Sequence, residues 1–166
     1  MRDITSAGVV IAVIDGPCHG ADLERALHAD IRVAADSATF SAEGVVDVAS
    51  CGRRLAQLLG EARAKEIVLG MRAFDAANAL RLGLVTRVVP AAALTETTRA
   101  LAETLAALPP LALPAIQETV RAARELSPEA ALALEHRHFR RLIATRDHKA
   151  AVAAFFERRP AVFTGD

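Results

Sequence analysis

The chain has 166 residues, a length that suits one compact domain or one domain with a helical appendage. Apolar residues make up 52% of it, enough for a real core, and 20 Lys+Arg balance 20 Asp+Glu to give zero formal charge. That balance excludes a general electrostatic hold on DNA, RNA or anionic lipid, leaving room only for a local basic patch, and the lack of Trp and Tyr removes the usual base-stacking platforms.

Residues 8–14 (GVVIAVI) form a short, β-branched, almost wholly apolar run, the pattern of a strand buried on both faces. It ends in Asp15-Gly16-Pro17, which is turn chemistry, and residues 21–28 read as a short helix with Asp22 as its expected N-cap. Residues 30–34 (DIRVA) alternate like a second strand, so the first thirty-odd positions predict a βαβ-like unit. Residues 36–48, with Phe40, Glu43 and Gly44, predict a short strand with loops. Helical patterns follow over 51–60 and 61–69, broken at Gly60. Asp75 caps a helix over 76–82 that stops at Gly83, and residues 84–89 (LVTRVV) predict a last strand closed by Pro90.

Beyond Pro90 the composition changes. Residues 91–157 read as helical, punctuated by Pro109-Pro110, Pro114 and the Ser127-Pro128 start, where Ser caps and Pro fills the first turn. The expected organisation is therefore an α/β core over 1–90 and a helical oligomerisation region over 91–166.

The chemistry concentrates at residues 16–30. A Gly-containing turn feeding a helix presents free N–H groups and the positive end of the helix dipole, which stabilise a developing oxyanion. Glu24 lies one turn into that helix, with His28 four residues on along the same face. A carboxylate there can move a proton beside a polarised carbonyl; the plainer alternative is pairing with Arg25, His28 or solvent. Asp22 cuts the other way, since an anion at the helix start competes for the same N–H groups. Glu43 sits in a loop that could return to this helix end, and two carboxylates at one centre can divide into acid and base. As an exposed loop glutamate it needs no such role.

Other constellations carry less. Glu135, His136 and His138 suggest a metal, but i and i+2 point to nearly opposite sides of a helix, so no metal is expected there. Arg53-Arg54 and Arg140-Arg141 read as solvated helix faces. Cys18 and Cys51, far apart and without a CxxC partner, read as free thiols in a reducing compartment. No apolar stretch is long enough to cross a bilayer, and residues 1–4 lack the basic-then-apolar pattern of a signal peptide, so the cytoplasm is the expected location.

Three segments together carry a resemblance. GVVIAVIDGPCHGADLERALHADIRVAADSATF resembles the central segment of the crotonase family, the enoyl-CoA hydratases and isomerases. RLAQLLGEARAKEIVLGMRAFDAANALRLGLVTRVVP is similar to that family's next run, and TRDHKAAVAAFFERRPAVFTGD to its closing Thr-x-Asp … Arg-x-Pro-x-Phe pattern. The resemblance implies a crotonase-like ββα spiral core, partial here because the family's N-terminal third has no counterpart, followed by a C-terminal helical region. It implies an oxyanion N–H at Ala21, the first catalytic glutamate at Glu24, the second at Glu43, and a basic residue for CoA phosphates at Arg158. The implied substrate is an acyl-CoA thioester of fatty acid metabolism, with coenzyme A as part of the substrate and no separate cofactor. The implied chemistry is that of a hydratase (a lyase) first and an isomerase second, in a homotrimer or hexamer. The chain departs from the family at Ala21 and Asp22, which replace two turn glycines, and in a shortened segment after Glu43. These departures keep open a non-catalytic truncated relative or an auxiliary subunit of an acyl-CoA-processing complex. The missing third also leads us to expect an uncovered apolar sheet edge and self-association.

Overall fold

The computed structural model describes residues 1–70 and 72–166. Its contacts divide the chain into two compact units, residues 1–102 and 103–166.

The first unit is built on a four-stranded sheet in the order β1-β2-β4-β7. Strand β2 (Val9–Ile14) takes the apolar run, with Ile11, Ala12, Val13 and Ile14 all fully buried. Burying the two isoleucines and the valine stabilises by roughly 1.5–3 kcal/mol each, so β2 is the spine of the core. It pairs in parallel with β4 (Ile31–Ala35), which pairs in parallel with β7 (Arg87–Val89). On its other side β2 pairs antiparallel with β1 (Arg2–Ser6), through the turn at Ala7-Gly8. The edge on this side is polar where a bare apolar one was expected: β1, the outermost strand, presents Arg2, Asp3 and Thr5 to solvent. Polar side chains on an edge strand discourage further pairing.

A second, three-stranded sheet joins β3 (Pro17–His19), β5 (Thr39–Ser41) and β6 (Phe74–Asp75). Phe40 on β5 is fully buried and stacks on Phe74 of β6 at 5.7 Å between ring centroids. Helix α1 (Ala21–His28) bridges β3 to β4 and buries Leu23, Ala26 and Leu27. Helices α2 (Val48–Leu59) and α3 (Glu61–Gly70) pack on one another, and α4 (Ala76–Leu82) is capped by Asp75 and closed by left-handed Gly83.

Arg32 on β4 is buried, and its guanidinium donates to the carbonyls of Leu84 (2.6 Å), Ala29 (2.6 Å) and Ala26 (3.3 Å). Burial pulls its pKa below the ordinary arginine value. These bonds fasten the end of α1 to the segment between α4 and β7. Arg54 departs from the solvated-face expectation: it is half-buried on α2, with its Nε shut off from water and without a hydrogen-bond partner among the described residues.

The chain then passes a 3₁₀ turn (Ala91–Ala93) and enters α5 (Leu94–Ala106). The second unit contains α6 (Ala112–Glu125), α7 (Pro128–Ile143) and α8 (Arg146–Phe156). Ser127 caps α7 as the sequence leads one to expect, and Thr145 caps α8 in the same way. Buried Asp147 accepts hydrogen bonds from the N–H groups of Thr164 (2.7 Å) and Gly165 (3.0 Å). That contact gives the closing Thr-x-Asp pattern a physical reason: the carboxylate latches the C-terminal segment onto α8.

Candidate active site

The start of α1 differs from expectation in one respect that matters for chemistry. Its N-cap is Gly20, not Asp22, and no side chain caps it. Asp22 lies inside the first turn, 3.5 Å from Arg25, whose other nitrogen is 3.1 Å from Asp3. The anion that would compete for the helix N–H groups is therefore turned along the helix and tied to a guanidinium. The first intrahelical bond runs from Glu24 N to Gly20 O (3.0 Å), which leaves the first-turn amides, Ala21 among them, facing outward from an uncapped end. Ala21 itself is exposed.

Gly20 is required where it stands. Its φ is +54°, and a Cβ added there would lie 2.9 Å from the Gly44 carbonyl oxygen and 3.2 Å from that of Glu43. This close approach presses the Glu43-Gly44 peptide against the helix start. Buried Ser41 supports it from below: its carbonyl accepts Gly20 N (3.4 Å) and its Oγ accepts Glu43 N (3.0 Å). The Glu43 side chain is exposed.

Glu24 is half-buried one turn in. Its Oε1 accepts the backbone N–H groups of Val46 (2.7 Å) and Asp47 (3.1 Å), just where Asp47 caps α2. The carboxylate is thus fixed by the loop that carries Glu43, with Oε2 unengaged among the described residues. His28 does not pair with that carboxylate, since its Nδ1 donates to the Glu24 backbone carbonyl at 2.8 Å. The structure gathers Ala21, Glu24 and the Glu43 backbone at one end of α1. Arg158 lies in the other unit, exposed, after α8, with a left-handed φ of +54°.

Two neighbours were not expected beside this site from the sequence. His19, the residue before Gly20, is half-buried with its ring Nε2 3.1 Å from Thr39 Oγ1. Cys51 is buried in the first turns of α2, and burial foremost, then the charges of Glu24 and Asp47, pushes its thiol pKa up. Burial likewise pushes the Cys18 thiol up to about 12, with Asp22 adding to the shift. Neither thiol is a ready nucleophile at neutral pH. A three-residue β3 carries too little periodicity to reveal His19's place, and Cys51 becomes visible only once α2 is seen to start beside Glu24.

Among the described residues, no group of three or more His, Cys, Asp or Glu side chains could hold a metal ion. His138 instead lies 3.1 Å from Glu118 of α6, outside hydrogen-bonding geometry. No helix among the described residues is long and apolar enough to cross a membrane.

Comparison with known proteins identifies the family. The family model for enoyl-CoA hydratase/isomerase matches residues 2–166. A probable enoyl-CoA hydratase of Mycobacterium tuberculosis is 37% identical over 158 residues, 93% of this chain and 62% of the relative. The 2,3-dehydroadipyl-CoA hydratase of Escherichia coli is 33% identical over 160 residues, covering 94% of this chain and 63% of the relative. Among solved structures, an enoyl-CoA hydratase subunit I from Geobacillus kaustophilus superposes with a TM-score of 0.88 at 36% identity, over 96% of this chain and 64% of that one. The chain thus spans somewhat less than two thirds of the length of these relatives. The fold is that of the crotonases, and the chain belongs to the enoyl-CoA hydratase/isomerase family.

Proposed function

We propose that the chain acts on acyl-CoA thioesters, with hydration–dehydration as its leading chemistry and isomerisation second. The observation that carries this reading is the uncapped start of α1, with Glu24 fixed one turn in and the Glu43 peptide pressed against Gly20. The Ala21 N–H holds the thioester oxygen as it gains negative charge, and one such donor is worth about 3 kcal/mol of barrier. One carboxylate takes the proton from water as its oxygen adds to the β-carbon, and the other delivers a proton to the α-carbon. Glu24 and Glu43 fill these two roles. Coenzyme A enters as part of the substrate, and no further cofactor is called for.

Residues 91–166 assemble a homotrimer or hexamer in the cytoplasm, and Arg158 approaches the CoA phosphates of an adjacent subunit. Exposed Phe139, Phe155 and Phe156 in the second unit support an assembly role.

A second reading has its own support. Glu24 Oε1 already bonds two loop amides, so this side chain has a structural task whether or not it moves protons, and Ala21 and Asp22 stand where the family has glycines. That favours a non-catalytic relative or an auxiliary subunit. The test is calorimetric titration of the full chain with acetyl-CoA and crotonyl-CoA, once light scattering has fixed its mass. Saturable binding and crotonyl-CoA turnover uphold the enzyme. A folded oligomer that binds neither at millimolar ligand leaves the auxiliary role.

A further inference from the structure

Between α3, β6 and α4 lies a cleft of about 790 Å³, within the range of small-molecule sites. It shares no residue with the Ala21, Glu24 and Glu43 site. Arg63 and Glu66 enter from α3, Arg72 from the segment before β6, and Arg81 from α4. Three guanidiniums against one carboxylate leave an excess of two positive charges in a chain whose formal charge is zero.

Nor is that charge consumed internally. Arg81 donates to Asn78 Oδ1 at 2.6 Å, a neutral partner. Arg63 and Arg72 meet no carboxylate or carbonyl among the described residues, and Glu66, three positions along α3 from Arg63, forms no ion pair with it. The apolar wall is Phe74, whose ring is held by stacking on buried Phe40. Guanidiniums pair bidentately with phosphate oxygens, and a single carboxylate would leave at least one positive charge uncompensated.

We propose that this cleft binds a phosphate- or diphosphate-bearing small molecule, its anion held by Arg63, Arg72 and Arg81 and its organic body against Phe74. The inference is independent of the acyl-CoA reading. Two sources of the phosphate are open to test: the phosphates of coenzyme A, or a separate phosphorylated metabolite.

The experiment is isothermal titration of the full chain with inorganic pyrophosphate and, separately, with coenzyme A, at about 0.1 M salt, where screening is still moderate. Pyrophosphate is expected to bind saturably. Arg63→Gln and Arg72→Gln should each weaken it roughly tenfold, the loss expected for one charge-assisted contact. Both side chains are exposed, so the fold should tolerate them. Glu66→Gln should tighten binding about threefold by removing the opposing charge, a gain that a misfolded variant could not produce. Glu24→Gln should leave pyrophosphate binding unchanged, which separates this site from the candidate active site. If coenzyme A competes with pyrophosphate and weakens in the same arginine variants, the phosphate is the coenzyme's. If pyrophosphate responds to the variants and coenzyme A does not, the cleft serves a separate phosphorylated metabolite. Absence of saturable heat up to about 10 mM pyrophosphate, or binding indifferent to all three cleft substitutions, overturns the proposal.

Discussion

Gly20 shows how one residue can set the geometry of a site. A left-handed φ and a 2.9 Å approach to the Gly44 carbonyl both exclude a side chain. Gly20→Ala should cost about 1–3 kcal/mol of stability, the usual range for a strained non-glycine backbone, read from the urea midpoint. It should also release the 43–47 loop from α1, so any acyl-CoA turnover should fall further than stability alone accounts for. Glu24 allows a cleaner separation of structure from chemistry. Glutamine keeps an oxygen able to accept the Val46 and Asp47 amides but cannot take a proton. Glu24→Gln should therefore leave the melting temperature within a few degrees of the parent while cutting turnover roughly 10²–10⁴-fold. Equal rates in the two proteins would remove Glu24 from the mechanism. Cys18 adds a pH signature. Its pKa rises from the ordinary 9.0 to about 12 on folding, so above pH 9 the unfolded chain loses this proton while the native state keeps it. Stability from this group is complete below pH 9 and is lost as pH climbs towards 12, which alkaline denaturant titration of Cys18→Ala against the parent would detect.

At the scale of elements, the parts with strong local signals were the ones legible in the sequence. The apolar run of β2, the helix of α1 and the Asp75 and Ser127 caps all announce themselves through composition or spacing. Of the small sheet only β5 did, as the short strand expected within residues 36–48. Strands of two or three residues have no periodicity to read, and β3 and β6 exist because distant segments meet. Asp22 misled for a related reason: an aspartate after a glycine turn looks like a cap, but Gly20's contact with the 43–44 peptide starts the helix two residues earlier. Ala21, Glu24 and Glu43 could be named by resemblance, whereas the contact that gathers them depends on a carbonyl that no spacing rule reports. The Asp147 latch was likewise present as a Thr-x-Asp pattern without its reason. Asp147→Ala should lose about 1.5–3 kcal/mol, as a buried charged acceptor of two amides is removed. Hydrogen exchange should then show the amides of Thr164 and Gly165 unprotected while those of α1 are unchanged.

At the scale of the whole molecule, the decisive question is what covers the apolar surface of the second unit. Leu132, Phe139 and Ile143 fall at i, i+7 and i+11 on α7, one face of a helix, and they are 51%, 61% and 39% exposed. Phe155 and Phe156 at the end of α8 are each 78% exposed. Monomeric proteins seldom leave such contiguous apolar area to water, and helix faces of this kind are usually buried against another chain. β1, by contrast, ends its sheet with polar side chains, so association through that edge is disfavoured. Assembly should therefore run through the helices and leave the sheet as it is. Light scattering should give a multiple of the 17.5 kDa chain mass, three- or sixfold if the family's assembly is kept. Phe139→Ser combined with Phe155→Ser should shift that mass towards the monomer while far-ultraviolet circular dichroism stays unchanged. A parent protein that runs as a stable monomer at about 100 μM would remove the assembly role from the second unit, and any active site built across two copies would fall with it.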